Sequence, residues 1–324
     1  NVHIVPKQQY WLDESLQQTL LLSAHLPKPL KTYTVNADER LLVLEQGSLV
    51  RILTRGQYVL NVDEATVKVL FALIQPRLYA DTPQLQSWAS ASPDIVAAHF
   101  ECLQAAADEL LLCTYQQQLQ HIIKPNTQAF FWRQAHEDMT VERLPLPADG
   151  RINEAVLAQL QAVNFQQRAD FSAMVQTVMV PAKHQAVFNT DHQHEQILEA
   201  GNHYFWHLHQ TQSWQVVDLR VQTVEVSGQE LLSADKVTIR VNVVCNYHVT
   251  DSSAWAELYA KASEYLYREL QFAVRAVVGS RSIDELLADK QAVDEALMAH
   301  VLQQNISGIA IDSMGIKDII LPGE

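Results

Sequence analysis

The chain has 324 residues, a length that suffices for two or three domains with a sizeable core. Apolar residues make up 48% and charged residues 19%, which is ordinary for a folded protein in water. The formal net charge of −14 disfavours a nucleic-acid partner and a basic face for anionic lipid, and the 9 glycines disfavour phosphate-binding loops.

The first residue is Asn1, and no signal-peptide pattern follows it. We therefore expect the native start to lie upstream. A run of about 18 apolar residues, the minimum for a membrane-spanning helix, does not occur. We expect this chain itself to be soluble.

The three cysteines are Cys102, Cys113 and Cys245. Their number is odd and no CxxC pair occurs, which disfavours a disulfide framework or a zinc ribbon. We expect reduced and mostly buried thiols in a cytosolic setting.

Along the chain, residues 1–36 form an N-terminal leader in which Leu12–Ala24 is predicted to be helical. Three similar segments of short strands then recur, each with an apolar strand, a polar turn, a second strand and an aromatic-bearing third strand. The segments are Asp38–Leu60, Asp108–Phe130 and Ala182–Trp206. They predict a repeated antiparallel meander. The turn residues at matching positions in the three segments are Gly56, Asn126 and Gly201. Glycine and asparagine tolerate a positive φ.

Helical patterns separate these segments. One begins at Ser92-Pro93 and continues through Leu103, and a second covers Arg151–Gln167. Pro145 to Gly150 is the predicted linker. The predicted divisions are residues 1–36, 37–107, 108–170 and 171–324, with the third strand repeat at 181–216.

The C-terminal third reads as two strands joined by a turn, then three helical segments and a last short strand. Val237–Val249 alternates partly between apolar and polar residues, which predicts a half-buried strand. Ser282 and Glu285 have capping-box spacing, and Gly279 is placed to end the preceding helix. The closing strand is predicted at Gly315–Ile319.

The order and spacing of five motifs carry a family resemblance. They are Gln185, Val187, Gly201, His203 and Trp206 as a first strand unit, Asp218-Leu219-Arg220, the turn Gln229–Thr238, the helical Arg275–Leu287, and Gly315–Ile319. From Ala182 onward the chain resembles the SPFH (Band 7) domain of the stomatin/prohibitin/flotillin family, most closely the bacterial slipins. The predicted fold class is α+β, with repeated small antiparallel β units and intervening helices followed by an SPFH-like domain of sheet and helices.

The resemblance implies a self-assembling scaffold on the cytoplasmic face of the inner or plasma membrane. Such a homo-oligomer organises membrane microdomains or restrains partner membrane proteins, for example a membrane protease or an NfeD-like membrane protein. Family members carry an N-terminal anchor and continue into a charged coiled-coil helix. We therefore expect membrane lipids to be contacted through segments outside this chain, and no nucleic-acid partner or cofactor.

The chain shows no nucleophile or metalloprotease motif, so we expect no enzymatic activity. A helical stripe at steps of three and four supplies the candidates for an assembly interface, although the same pattern fits core packing. These candidates are Tyr265, Leu266, Leu270, Val274 and Val277.

A histidine-rich strand is the other candidate site. On an extended strand, one face carries His203, Phe205, His207 and His209, and the opposite face carries Tyr204, Trp206 and Leu208. The second set resembles core, which leaves the histidines towards solvent or a neighbour. A zinc site, to which His192 or His194 adds a ligand, a pH-responsive interface and a plain polar face all remain open.

Two other functions compete with the membrane scaffold. One is a soluble shell or cage-forming protein without a membrane role. The other is a binding protein that senses metal or pH through the histidine face.

Overall fold

The computed structural model describes residues 10–63, 65–74, 83–191, 194–208, 210–258 and 262–321. The fold is α+β, as predicted. The chain divides into two compact units, Asn1–Ala148 with Asn153–Ser172 and Asp149–Ile152 with Ala173–Glu324.

Three groups of five strands follow one another along the chain, and we call them modules 1, 2 and 3. Module 1 comprises β1 (Leu30–Val35), β2 (Glu39–Glu45), β3 (Ser48–Leu53), β4 (Gly56–Asn61) and β5 (Val67–Leu73). Module 2 comprises β6 (Phe100–Gln104), β7 (Glu109–Tyr115), β8 (Gln118–Ile123), β9 (Gln128–Trp132) and β10 (Met139–Pro145). Module 3 comprises β11 (Val175–Val180), β12 (His184–Thr190), β13 (His194–Leu198), β14 (Gly201–Trp206) and β15 (Gln212–Asp218).

The strand pairing is the same in every module. The first strand pairs with the fourth, and the second pairs with both the third and the fifth, always antiparallel. The predicted meander is wrong at its last step, since the fourth strand leaves the third and pairs with the first. Asn126 (φ 57°) and Gly201 (φ 140°) stand at this change of direction, whereas Gly56 does not have a positive φ.

Burial of aromatic residues explains the change of direction. In module 3, Phe205 of β14 stacks on Phe188 of β12 with ring centroids 4.1 Å apart. Both rings are fully buried, as are Val178 and Ala186 beside them. Two small sheets thus cover one apolar cluster. A flat meander of three strands is a single layer and leaves one side of such a cluster uncovered.

The first unit also contains short helices. They are α1 (Glu14–Leu21), α2 (Pro83–Ala91), α3 (Pro93–His99), α4 (Arg133–His136), α5 (Glu154–Ala162), a 3-10 turn (Phe165–Gln167) and α6 (Ala169–Ser172). The Asp13 carboxylate caps α1 by accepting a hydrogen bond from the Leu16 amide at 2.8 Å. The predicted helix at Leu12–Ala24 is therefore present but shorter.

The prediction that the helical segment from Ser92-Pro93 continues through Leu103 is wrong. α3 ends at His99, and Phe100 begins strand β6. Phe100 pairs with Trp132 of β9 and stacks on its ring at a centroid separation of 4.1 Å. A strand partner and a buried aromatic contact outweigh the weak helical preference of these residues.

The C-terminal part of the second unit is a three-stranded antiparallel sheet with helices on one face. Its strands are β16 (Gln222–Leu232), β17 (Thr238–Val249) and β18 (Ile309–Ile320), in the spatial order β16-β17-β18. Its helices are α7 (Ser252–Leu258), α8 (Ala262–Gly279), α9 (Ile283–Ala288) and α10 (Lys290–Gln303). Four helices thus replace the predicted three, and the closing strand has 12 residues, more than predicted.

Burial alternates along the whole of β17, which is more regular than the partial alternation of its sequence. Residues Ile239, Val241, Val243, Cys245 and Tyr247 are buried against the helices. Their neighbours along the strand face outward. β17 therefore forms the floor of the largest core cluster of the unit, and it fixes where α8 and α10 pack.

Two predicted helix boundaries in this sheet-and-helix region are confirmed. Gly279 is the last residue of α8, and Ser282 with Glu285 forms a capping box at the start of α9. The Asp235 carboxylate, in the turn before β17, also accepts a hydrogen bond from the Ile283 amide at 3.2 Å. This contact connects the strand turn to the helix start.

Candidate functional site

The inward side of α8 belongs to the core. Leu266, Leu270 and Val274 are 0% exposed, and Val277 is 7% exposed. All four pack into the cluster that includes β17. This placement corrects the expectation that these four residues form an assembly interface, because their side chains have almost no surface left to present to a neighbour.

The outward side of α8 carries a different set of residues, which we call the outer stripe: Tyr265, Arg268, Phe272 and Arg275. They recur at steps of three and four, so they lie along one line of the helix. Phe272 is 50% exposed. The Arg268 guanidinium lies 5.2 Å from the Tyr265 ring centroid, a cation–π contact. Of the predicted interface residues, only Tyr265 lies on this stripe.

The predicted interface residues do not include Arg268 and Phe272, because the prediction follows the conspicuous apolar stripe on the same helix. The helical period of the sequence could have identified both residues. Both residues fall out of phase with Leu266, Leu270 and Val274, and a large aromatic residue out of phase with the core-facing stripe is a candidate for a contact surface.

The histidine strand differs from the prediction. Phe205 was expected on the solvent-facing side, yet it is fully buried, as is Trp206 on the opposite side. His203 is half-buried, and its Nε2 lies 2.7 Å from the Glu199 carbonyl oxygen. Its Nδ1 lies 3.4 Å from Nη1 of Arg151. Both ring nitrogens of His203 are thus within reach of protein groups.

The remaining histidines do not continue the pattern. β14 ends at Trp206, so His207 lies beyond the strand, where its Nδ1 is 3.3 Å from Oε1 of Gln212. His209, His192 and the His194 side chain lie outside the described residues. Among the residues that the structure does describe, no group of three or more His, Cys, Asp or Glu side chains is arranged to hold a metal ion.

Two of the three thiols, Cys113 and Cys245, are buried. Burial raises the pKa of the Cys113 thiol to about 12 and that of the Cys245 thiol to about 11. A thiolate is the nucleophilic form of cysteine, so neither group suits covalent catalysis. Cys102 is exposed. The expectation of mostly buried thiols therefore holds for two of the three cysteines.

The Asp-Leu-Arg motif forms a local ion pair at the end of β15. The Asp218 carboxylate accepts hydrogen bonds from the Arg220 side chain at 2.5 and 2.9 Å and from the Arg220 amide at 3.0 Å. These bonds from Arg220, and the nearby His184 imidazole at 3.7 Å, hold the pKa of Asp218 well below its usual value. The motif therefore fixes the turn from β15 into β16.

We expect Asp218→Asn to flatten the acid limb of the stability profile. Because the folded-state pKa of Asp218 lies below the unfolded-state value, its contribution is complete above about pH 4 and is lost as the pH falls. The variant lacks this contribution at every pH. It should be less stable than the wild type at pH 6, and the two curves of urea midpoint against pH should converge towards pH 2.

Asp318→Asn is the matched control, since Asp318 is an exposed carboxylate on β18. Its curve should run parallel to that of the wild type. Parallel curves for Asp218→Asn as well would contradict the role given to the Arg220 pair.

None of the helices within the described ranges combines the length and apolar character needed to cross a bilayer.

Comparison with known proteins shows which family the C-terminal region resembles. Residues 178–324 match the model of the SPFH domain / Band 7 family. Over 115 residues the chain is 33% identical to Stomatin-3 of Caenorhabditis elegans, which covers 35% of this chain and 42% of the relative. It is 30% identical to a stomatin homolog of Pyrococcus horikoshii over 111 residues, covering 33% of this chain and 41% of the relative. Human podocin is 27% identical over 107 residues, covering 33% of this chain and 28% of podocin.

The chain thus spans less than half the length of these relatives. The matched region contains β12 to β15 of module 3 and the whole of the β16-β17-β18 sheet with its helices. The comparisons thus show that residues 178–324 of this chain are similar to the SPFH domain / Band 7 family.

Proposed function

We propose that the protein is a non-enzymatic, self-assembling, membrane-associated scaffold of the slipin/stomatin type. In this role it organises membrane microdomains or restrains partner membrane proteins such as a protease. The observation that carries the proposal is the match of residues 178–324 to the SPFH domain / Band 7 family, together with relatives named stomatin and podocin.

The chemistry of the described residues supports a role without catalysis. The deeply buried thiols Cys113 and Cys245 are held protonated. Both ring nitrogens of His203 contact groups of the fold, Nδ1 the Arg151 guanidinium and Nε2 the Glu199 carbonyl oxygen. Function then depends on surfaces, and the proposed membrane contact is made by segments outside this chain at the cytoplasmic face.

The outer stripe of α8 is the proposed assembly surface. Tyr265 and Phe272 provide aromatic area, and Arg268 and Arg275 provide charge at its rim. Aromatic and arginine residues are enriched in interface cores, and arginine pairs well with the acidic groups that dominate this chain of net charge −14. A second copy that presents a different, acidic face gives a heterologous contact, which closes into a ring if the rotation permits.

Phe272→Asp should disrupt this assembly. The substitution removes exposed aromatic area and adds a carboxylate beside partner groups that are also mainly acidic, so the assembled fraction should fall roughly tenfold. Light scattering after size exclusion, on the full-length protein, measures the change. Because Phe272 is half-exposed, the fold should remain intact, which circular dichroism checks.

Leu22→Asp is the matched control, since Leu22 is 90% exposed and lies at the end of α1. It should leave the assembly unchanged. Equal assembly of Phe272→Asp and the wild type would remove α8 as the contact surface, and a monomeric wild-type full-length protein would contradict the scaffold itself.

A further inference from the structure

A groove of about 420 Å³ runs between α10 and the outer strand β18. Both elements belong to the second unit, and the groove is complete within one chain. Its lining comprises Gln291, Asp294, Glu295, Met298, Ala299 and Leu302 from the helix and Asp312, Ser313 and Met314 from the strand.

The helix side of the groove is distinct from the core-facing side. Val293, Leu297 and Val301 of α10 are buried in the core. Met298 and Leu302 are one turn apart on the neighbouring stripe of the helix, and Leu302 is 57% exposed. An apolar floor is therefore open to a ligand.

The groove is acidic. Of the described residues that line it, three are carboxylates and none is lysine or arginine. Each carboxylate already has one partner in the fold: Asp294 with the Ile316 amide at 2.7 Å, Glu295 with Gln291 at 2.9 Å, and Asp312 with His248 at 2.9 Å. A carboxylate has about four lone-pair sites, so all three retain capacity for a cation.

The strand side offers backbone groups. β18 pairs with β17 along one edge only. The Ile316 amide donates to Asp294 on the α10 side, so it points away from β17. Since an antiparallel ladder alternates every second residue, the backbone of Met314 points the same way. Among the backbone hydrogen bonds of the described residues that lie outside the strand ladders, none is donated by the Met314 amide.

We propose that this groove binds an extended segment of a partner protein in which basic and apolar residues alternate. The segment adds a strand to β18 before Gly315, where the Asp294 carboxylate blocks further pairing. Its apolar side chains pack on Met298 and Leu302. Successive side chains of a strand point to opposite faces, so its lysine or arginine side chains lie on the face away from α10 and reach Asp312, which contacts His248 there.

The proposal goes beyond self-assembly and does not depend on it. The outer stripe on α8 and the groove beside α10 use different residues. A chain that stays monomeric in solution still has the groove, so failure of one idea leaves the other to be judged by its own experiment.

The test uses three synthetic ten-residue probes with blocked ends. The first alternates lysine and valine, the second alternates glutamate and valine, and the third is the first with proline at every second valine. Fluorescence anisotropy at low salt measures binding to the full 324-residue chain. Amide NMR of ¹⁵N-labelled protein then locates the contact at Met314.

We expect the lysine probe to bind, the glutamate probe not to bind, and the proline probe to bind more weakly because proline lacks the amide that a strand donates. Asp312→Lys and Leu302→Lys should each weaken binding of the lysine probe roughly tenfold. Glu142→Lys, an exposed site on β10 of the first unit, makes the same charge change and should have little effect. Equal binding of lysine and glutamate probes, undiminished binding by Asp312→Lys, or an unshifted Met314 amide would overturn the proposal.

Discussion

Leu270→Ala should lower the free energy of unfolding of the C-terminal unit by about 3 kcal/mol, the usual cost of emptying a core leucine site. Leu270 is fully buried between α8 and the sheet, together with Ala273 and Val274. Its removal leaves a cavity that the surrounding β-strand side chains fill only in part. Hydrogen exchange of the β17 amides measures the loss within this unit.

Phe272→Ala on the same helix is the control, because Phe272 is half-exposed. It should cost less than about 1 kcal/mol, as for most surface substitutions. If Leu270→Ala left the exchange rates of β17 unchanged but altered the size of the assembly, Leu270 would be an interface residue after all.

Gly308→Ala should destabilise the same unit by about 3 kcal/mol or more. Gly308 has a φ of +84°, and an added Cβ would lie 2.7 Å from the Trp255 amide nitrogen and 2.8 Å from the Asp251 carbonyl oxygen. Both neighbours are backbone atoms, so α7 or the start of β18 must move. The substitution would also strain the two hydrogen bonds that the Gly308 carbonyl accepts from Thr250 and Asp251.

Gly228→Ala separates the two causes. Gly228 has a similar φ of +68°, but no atom lies within 4 Å of an added Cβ. It should therefore cost only about 1 kcal/mol, the penalty for left-handed backbone alone. Equal losses in the two variants, measured by urea denaturation, would mean that backbone strain rather than the close approach decides the effect.

The sequence predicts the C-terminal region well because its signals are local. The alternation of β17, the capping box at Ser282 and Glu285, and the helix end at Gly279 depend on residues within a few positions of one another. Such signals are complete before any long-range contact forms. Family resemblance then supplies the order in which these elements assemble.

The strand modules show where local reasoning stops. The three repeat segments have the strands that the pattern predicts, yet the fourth strand pairs with a first strand that lies outside the segment. At Phe100, a helical spacing gives way to a strand because Trp132 lies opposite. Pairing between strands that are distant in the sequence cannot be predicted from a window of ten residues.

The candidate sites follow the same division. Periodicity identifies which residues of α8 share a stripe, but it does not say whether Leu266 faces the core or a neighbouring chain. That choice depends on the sheet beneath the helix. Likewise, the groove combines Leu302 of α10 with Asp312 and Met314 of β18. These residues line one groove only because α10 packs against β18.

Light scattering coupled to size exclusion, on the full-length protein extracted in mild detergent, measures whether the protein assembles. We expect a discrete assembly of many subunits, reduced by Phe272→Asp and unaffected by Leu22→Asp. A monodisperse monomer across a wide range of concentration would contradict the scaffold function.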